Sequence, residues 1–224
     1  MIGMTPSHRW AVTAVLLAAA TSACASATPQ AGNVSSPARS DSAAISAARA
    51  DSARYPYTAA DIHFMSAMIA HHAQAIDIAR WAPTHGASAS LQVLAERVIN
   101  AQKDEIALMQ RWLRERQLPV PEARATMTMG GMEHVHQMPG MLSAAQLEQL
   151  NGAQGKEFDR LFLTFMIQHH QGAVTMVEDL FRSEGAGLDE TVFKLASDIS
   201  ADQTTEIDRM QQMLAELMFA TPSP

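Results

Sequence analysis

From Tyr57 onward, large apolar side chains recur at three- and four-residue intervals in four long stretches, the periodicity of helices that bury one face. Thr58-Ala59-Ala60-Asp61 is a capping-box-like start for the first, which Pro83 ends near Trp81. The second runs from about Ser88 to Gln117 and is stopped by Pro119. The third begins after Ser143-Ala144-Ala145-Gln146, another capping box, and carries a break around Asn151-Gly152. It continues through Phe158 to Ser183 and ends at Gly185; the fourth runs from about Leu188 to Met218. No stretch shows the two-residue alternation of a strand. Short links make two antiparallel hairpins, and the long link over residues 118–142 joins them, so the pattern predicts an all-α, four-helix bundle.

The two hairpins are copies of one another. Met68-Ile69-Ala70-His71-His72 returns 98 residues later as Met166-Ile167-Gln168-His169-His170, with Asp61 matching Asp159 and Phe64 matching Phe162. The partner helices repeat as well: Gln102, Glu105, Ile106 and Met109 correspond to Gln203, Glu206, Ile207 and Met210. At about 100° per residue, Asp61, Met65, Met68 and His72 share an arc of about 60°, and Asp159, Leu163, Met166 and His170 repeat it. His71 and His169 lie to one flank of that line. The wheel therefore points to His72 and His170 as the pair along the bundle axis.

Polar groups thus interrupt the apolar stripe at matched places, and burying them is costly unless each finds a partner. Two readings compete. In one, each histidine donates to a neighbouring Gln or Glu and the methionines fill the core. In the other, His71, His72, His169 and His170, with Met65, Met68, Met166, Met109 and Met210, converge on a late transition metal. Gln102, Glu105, Gln203 and Glu206 would then orient the imidazoles from behind.

The ends change the picture of where such a protein works. His8 and Arg9 give a short basic start, Trp10 to Ala20 is apolar, and Thr21 to Ala27 supplies small residues for cleavage. This reads as an export signal over residues 1–24, too short for a membrane span. Cys24, the single cysteine, stands where a bacterial lipoprotein is cleaved and acylated, although the leucine usual three places earlier is missing. Cleavage after Ala25 or Ala27 would instead remove it. Either route leaves a periplasmic or membrane-anchored product without a disulfide. Residues 25–56, rich in Ala, Ser and Pro, read as a flexible tether with a short helix over Asp41 to Arg54. A formal charge of −7 argues against nucleic acid and against anionic lipid surfaces as partners.

Fifteen methionines against seven phenylalanines and two tyrosines is an unusual balance, and the long link explains part of it. Met127, Met129, Met132, Met138 and Met141, with His134 and His136, fall within fifteen residues that have no apolar periodicity and carry flanking Gly and Pro. Thioether with imidazole suits Cu(I), and imidazole suits Cu(II) as well. The competing reading is a methionine-rich lid folded over the bundle.

The paired Met-Ile-x-His-His phrases, the Gln-x-x-Glu-Ile-x-x-Met runs and Pro139-Gly140-Met141-Leu142-Ser143 leading to Phe158-Asp159 resemble the family catalogued as domain of unknown function 305. The resemblance covers nearly all of residues 57–218. It implies a ferritin-like four-helix bundle and, through CopM-like exported members, copper binding. Carried over by motif, it places expected ligands among His71, His72, His169, His170, Met65, Met68, Met166, Met109 and Met210. Leu163 stands where the first copy has Met65, so the half-sites need not be equivalent.

No catalytic residue is assigned. The leading expectation is an exported protein that sequesters or passes on copper, with the metal ion as its ligand and a lipid anchor at Cys24 as its membrane attachment. One alternative is a metal-free helical interaction module. A ferritin-like di-metal oxidase fits less well, because such sites use Glu-x-x-His on two helices and this chain has none. Zinc hydrolysis is disfavoured by the absence of His-Glu-x-x-His.

Overall fold

Local capping chemistry sets the helix starts. In the computed structural model, which describes residues 37–54, 56–124 and 138–219, both expected capping boxes are present. Thr58 Oγ1 accepts from Asp61 N–H while Asp61 Oδ2 accepts from Thr58 N–H at 2.6 Å. Ser143 and Gln146 repeat the exchange. The helices are α1 (Pro37–Arg54), α2 (Ala59–Ala79), α3 (Ala89–Glu115), α4 (Ala144–Asn151), α5 (Gly155–Arg182) and α6 (Glu190–Phe219), with no strand among the described residues. The break expected near Asn151-Gly152 separates α4 from α5, and Gly155 turns the chain at φ +57°. Cys24, the export signal, Met127, Met129, Met132, His134 and His136 lie outside the described residues.

Part of the segment expected as a tether is helical. α1 begins four residues before the anticipated Asp41, buries Ala48, and through Arg49 Nη2 donates to Gln117 Oε1 at 2.7 Å beyond the end of α3.

α2 pairs with α3 and α5 with α6 as two antiparallel hairpins, and α2 packs against α5 to join them. Thirteen of the 21 residues of α2 are buried, which is why its sequence is apolar on nearly every face. The core divides into two apolar slabs. One gathers Ile78 and Ala79 of α2, Leu91 to Val98 of α3, Leu147 and Leu150 of α4, and Phe158 to Met166 of α5. The other gathers Phe64 to Ile69 of α2, Met109 to Leu113 of α3, Ala173 to Leu180 of α5 and Val192 to Ile199 of α6. Between them, at mid-height on all four long helices, lie His71, His72, His169, His170, Gln102 and Gln203, each no more than 2 % exposed.

Two matched aspartates brace the hairpins against each other. Asp61 at the start of α2 accepts from Gly187 N–H at 2.7 Å, in the turn of the second hairpin. Asp159 at the start of α5 accepts from Ser88 N–H at 3.2 Å, in the turn of the first. The sequence line that put these aspartates with the histidines is thus a structural one at its outer end.

A third aspartate closes the same end as Asp61, two residues beyond Gly187. Asp189 accepts from Trp112 Nε1–H at 3.1 Å and from the Arg116 guanidinium at 2.6 Å, and caps α6 through Thr191 and Val192 N–H. Arg116 lies over the Trp112 ring at 4.3 Å, and its pair with Asp189 is almost wholly buried. Removing one partner of such a pair strands the other charge. Asp189→Ala should cost about 3–5 kcal/mol of unfolding free energy, read as a lowered urea midpoint. A loss below about 1 kcal/mol would mean that Arg116 has another outlet.

Candidate metal centre

The double histidines reach the middle layer because each Met-Ile-x-His-His phrase lies where α2 crosses α5. The four imidazoles form a row across that crossing. His71 and His169 meet with ring centroids 3.9 Å apart and planes tilted by 40°, while His72 and His170 stand 6.3 and 6.2 Å outward from their chain neighbours. All four are fully buried. The pair expected on the flank is therefore the central one. A helical wheel measures angles from a helix's own stripe, whereas the neighbour that meets each side is set by how the hairpins dock.

The outer histidines turn to the partner helices of their own hairpins. His170 Nε2 makes a 2.7 Å hydrogen bond with Glu206 Oε2 on α6. His72 Nε2 approaches Glu105 Oε2 on α3 to 2.8 Å, but without the alignment of a hydrogen bond. Both contacts match the expectation that Glu105 and Glu206 sit behind the imidazoles. Asp202 joins this edge: burial, then the negative charges of Glu105 and Glu206, push its carboxyl above the usual range. One carboxylate from each hairpin thus borders the same region between α3 and α6.

A backbone carbonyl serves one member of the inner pair. His71 Nε2–H donates to Pro139 O at 3.0 Å, which leaves Nδ1 of a neutral ring as the lone-pair nitrogen. Burial, reinforced by the neighbouring His72, lowers the His71 pKa to about 3. Burial likewise holds His169 well below the ordinary 6.5, with charge on His71, His170 and His72 adding to the effect. Neutral imidazole is the form that binds metal.

Among the described residues, Nδ1 of all four histidines has no hydrogen-bond partner, and neither has His169 Nε2. Both amide atoms of Gln102 and the Gln203 oxygen are in the same position. An unsatisfied buried polar group costs about 1–3 kcal/mol, so this many unpartnered polar atoms in one layer make it the candidate place for a ligand. Soft donors flank them: Met65, Met68, Met109, Met166 and Met210 are fully buried, the first three in one slab and the last two in the other. The residue types fit a thiophilic, imidazole-seeking ion. As the side chains stand, no three His, Cys, Asp or Glu donors among the described residues converge to hold one.

Sequence reasoning offered a methionine-rich lid over the bundle as one reading of the link, but missed the residues that seat Pro139-Gly140 over the row. Pro139-Gly140 crosses α5 at Gly172, where an added Cβ would come within 2.0 Å of Pro139 O. Gln74 holds Leu142 by two hydrogen bonds, accepting its N–H at 2.8 Å and donating to its carbonyl at 3.1 Å. The signal was available: Gln74 and Gly172 occupy matched positions of the repeat and differ. Met138 and Met141, the predicted loop donors within the described residues, are half-buried. Met138 and Pro139 line a groove of about 570 Å³ together with His63, Phe64 and Met176.

The family profile described as domain of unknown function (DUF305) matches residues 61–214. A DUF305 fragment from Deinococcus radiodurans is 29% identical, covering 72% of this chain and 99% of that one, with a TM-score of 0.61. A candidate secreted DUF305 protein from Streptomyces coelicolor is 28% identical over 70% of this chain and 93% of that one, at a TM-score of 0.58. CopM in its Cu(II)-bound form is 33% identical over 70% of this chain and 96% of that one, at a TM-score of 0.56, and CopM structures with Cu(I) and with silver are also similar. No curated protein matches the chain. An all-helical bundle of two repeated hairpins, matched over most of its length by the DUF305 profile, belongs to the DUF305 family.

Proposed function

We propose that this chain is an exported protein that binds copper, as Cu(I) and as Cu(II), in the imidazole layer and sequesters or passes it on in the cell envelope. The observation that carries the reading is the row of four fully buried imidazoles whose Nδ1 atoms have no hydrogen-bond partner among the described residues, between slabs that present five buried thioethers. Imidazole nitrogen and thioether sulfur together favour Cu(I) over hard cations. CopM, 33% identical, has been solved with copper bound, which supports carrying the chemistry over. The basic-then-apolar start of the chain supports export, with Cys24 as the lipid-bearing residue, residues 25–56 as the spacer and residues 57–218 as the working domain. Met127, Met129, Met132, His134 and His136, with Met138 and Met141, would supply donors outside the layer.

Competition of the processed protein against a coloured Cu(I) chelator tests this directly. Changing His71, His72, His169 and His170 together to alanine should weaken binding by more than the roughly 10–100-fold typical of losing an outer partner of a ligand. Micromolar or weaker affinity that the quadruple variant leaves unchanged would overturn the reading and favour a metal-free interaction module.

A ligand histidine and a core histidine also differ in what an apolar replacement does. Among the described residues neither ring nitrogen of His169 has a hydrogen-bond partner, so His169→Leu should stabilise the metal-free protein by about 1–3 kcal/mol while lowering its copper affinity. A destabilised variant with unchanged copper affinity would point to a purely structural ring.

The pH dependence has a definite sign. His71 and His169 are harder to protonate folded than unfolded, so the unfolded chain binds more protons between pH 6.5 and about 3. The stability of the metal-free protein should be full above pH 6.5 and fall as pH drops toward 3, measured by thermal melting. His169→Leu should flatten that fall.

A further inference from the structure

Residues 138–143 form a strap across α2 and α5, directly over the imidazole row. Three contacts seat it. Gln74 on α2 clamps Leu142 through both its N–H and its carbonyl. Gly172 on α5 lets Pro139 O come closer than any side chain would permit, and Gly140 at φ +76° rests its α-carbon side against the same glycine. Gln168 Nε2 adds a long hydrogen bond to Gly140 O and is itself held by Gln146. The outcome is Pro139 O placed 3.0 Å from His71 Nε2.

A single strap crossing two equivalent helices cannot treat both alike. Gln74 and Gly172 are the same position in the two copies, and the residues differ there in the way the crossing requires: one side grips and the other makes room. Elsewhere in the row the corresponding task falls to a carboxylate, since Glu206 takes Nε2 of His170. A carbonyl differs in kind. It only accepts, so it fixes the ring proton on Nε2 without supplying a negative charge that would favour imidazolium.

We infer that Gln74 and Gly172 are positioning residues: they seat the Pro139 carbonyl on His71 Nε2, so that His71 presents its Nδ1 lone pair to a soft monovalent ion. This rests on the copper reading and deepens it, because it makes the backbone of the long link part of the site. Displacing the strap frees the His71 ring to adopt either tautomer and removes the partner that holds its orientation. Outer partners of this kind set both ring direction and ligand basicity.

The test reads the ring itself before any metal is added. In the ¹⁵N-labelled, processed, metal-free protein, long-range ¹H–¹⁵N correlation should show His71 protonated at Nε2. Gly172→Ala places a methyl where Pro139 O now lies, although alanine is otherwise the better helix former. Gln74→Met keeps the size of the side chain and removes both bonds to Leu142. With helical content unchanged by circular dichroism, both variants should show His71 in mixed tautomers, leave His170 as it was, and bind Cu(I) about 10–100-fold more weakly. Variants with the wild-type His71 tautomer overturn the inference, whether or not their Cu(I) affinity falls. A wild type that binds no Cu(I) but shows the tautomer change in the variants sinks the copper reading and upholds the seating. If Gly172→Ala does not fold, Gln74→Met decides alone.

Discussion

Everything in this bundle answers to one constraint, the burial of four imidazoles and two glutamines at the same height on four helices. Desolvation disfavours charge on His71 and His169, and geometry leaves most of the layer's ring nitrogens without a hydrogen-bond partner among the described residues. Such a layer is held only because apolar slabs lie above and below it. Burying one Leu or Phe contributes about 1.5–3 kcal/mol, comparable to the cost of one orphaned polar atom, and both slabs are rich in such side chains. The slabs therefore carry the fold, and the layer between them is free to serve a ligand.

Duplication explains how the layer is built, and divergence explains how it is used. The matched features brace and frame: Asp61 and Asp159 each reach into the other hairpin's turn, and Glu105 and Glu206 each meet the outer histidine of their own hairpin. The unmatched features fall where the link breaks the two-fold relation. Gln74 faces Leu142 while Gly172 admits Pro139. Two half-sites that began alike are thereby placed in different surroundings, with His71 under a backbone carbonyl and His169 without a hydrogen-bond partner among the described residues.

Much of this was legible in the chain. Capping boxes at Thr58 and Ser143, the break near Gly152 and the four long helices follow from signals that act within a few residues. The Met, His, Gln and Glu donors could be selected because repetition separates a kept pattern from a chance one. Less visible was the tie between Asp189 and Arg116, since its residues come from different hairpins and the local signal at Asp189 speaks only for the start of α6. The same holds for Gln74, which reads as one more polar residue on a crowded helix until Leu142 is placed beside it.

The histidines themselves mark the boundary. Sequence alone determined that His71, His72, His169 and His170 are buried in two equivalent helices, because a 3.6-residue period and an apolar background dictate which residues leave water. It also determined the donor chemistry, because that resides in the side chains. Which imidazole meets which was decided only by the tertiary structure. The order His72, His71, His169, His170 depends on the docking of α2 against α5, and the Pro139 carbonyl reaches His71 only because Gly172 lacks a side chain. Those are contacts between residues 33 to 98 positions apart, and no periodicity within one helix encodes them.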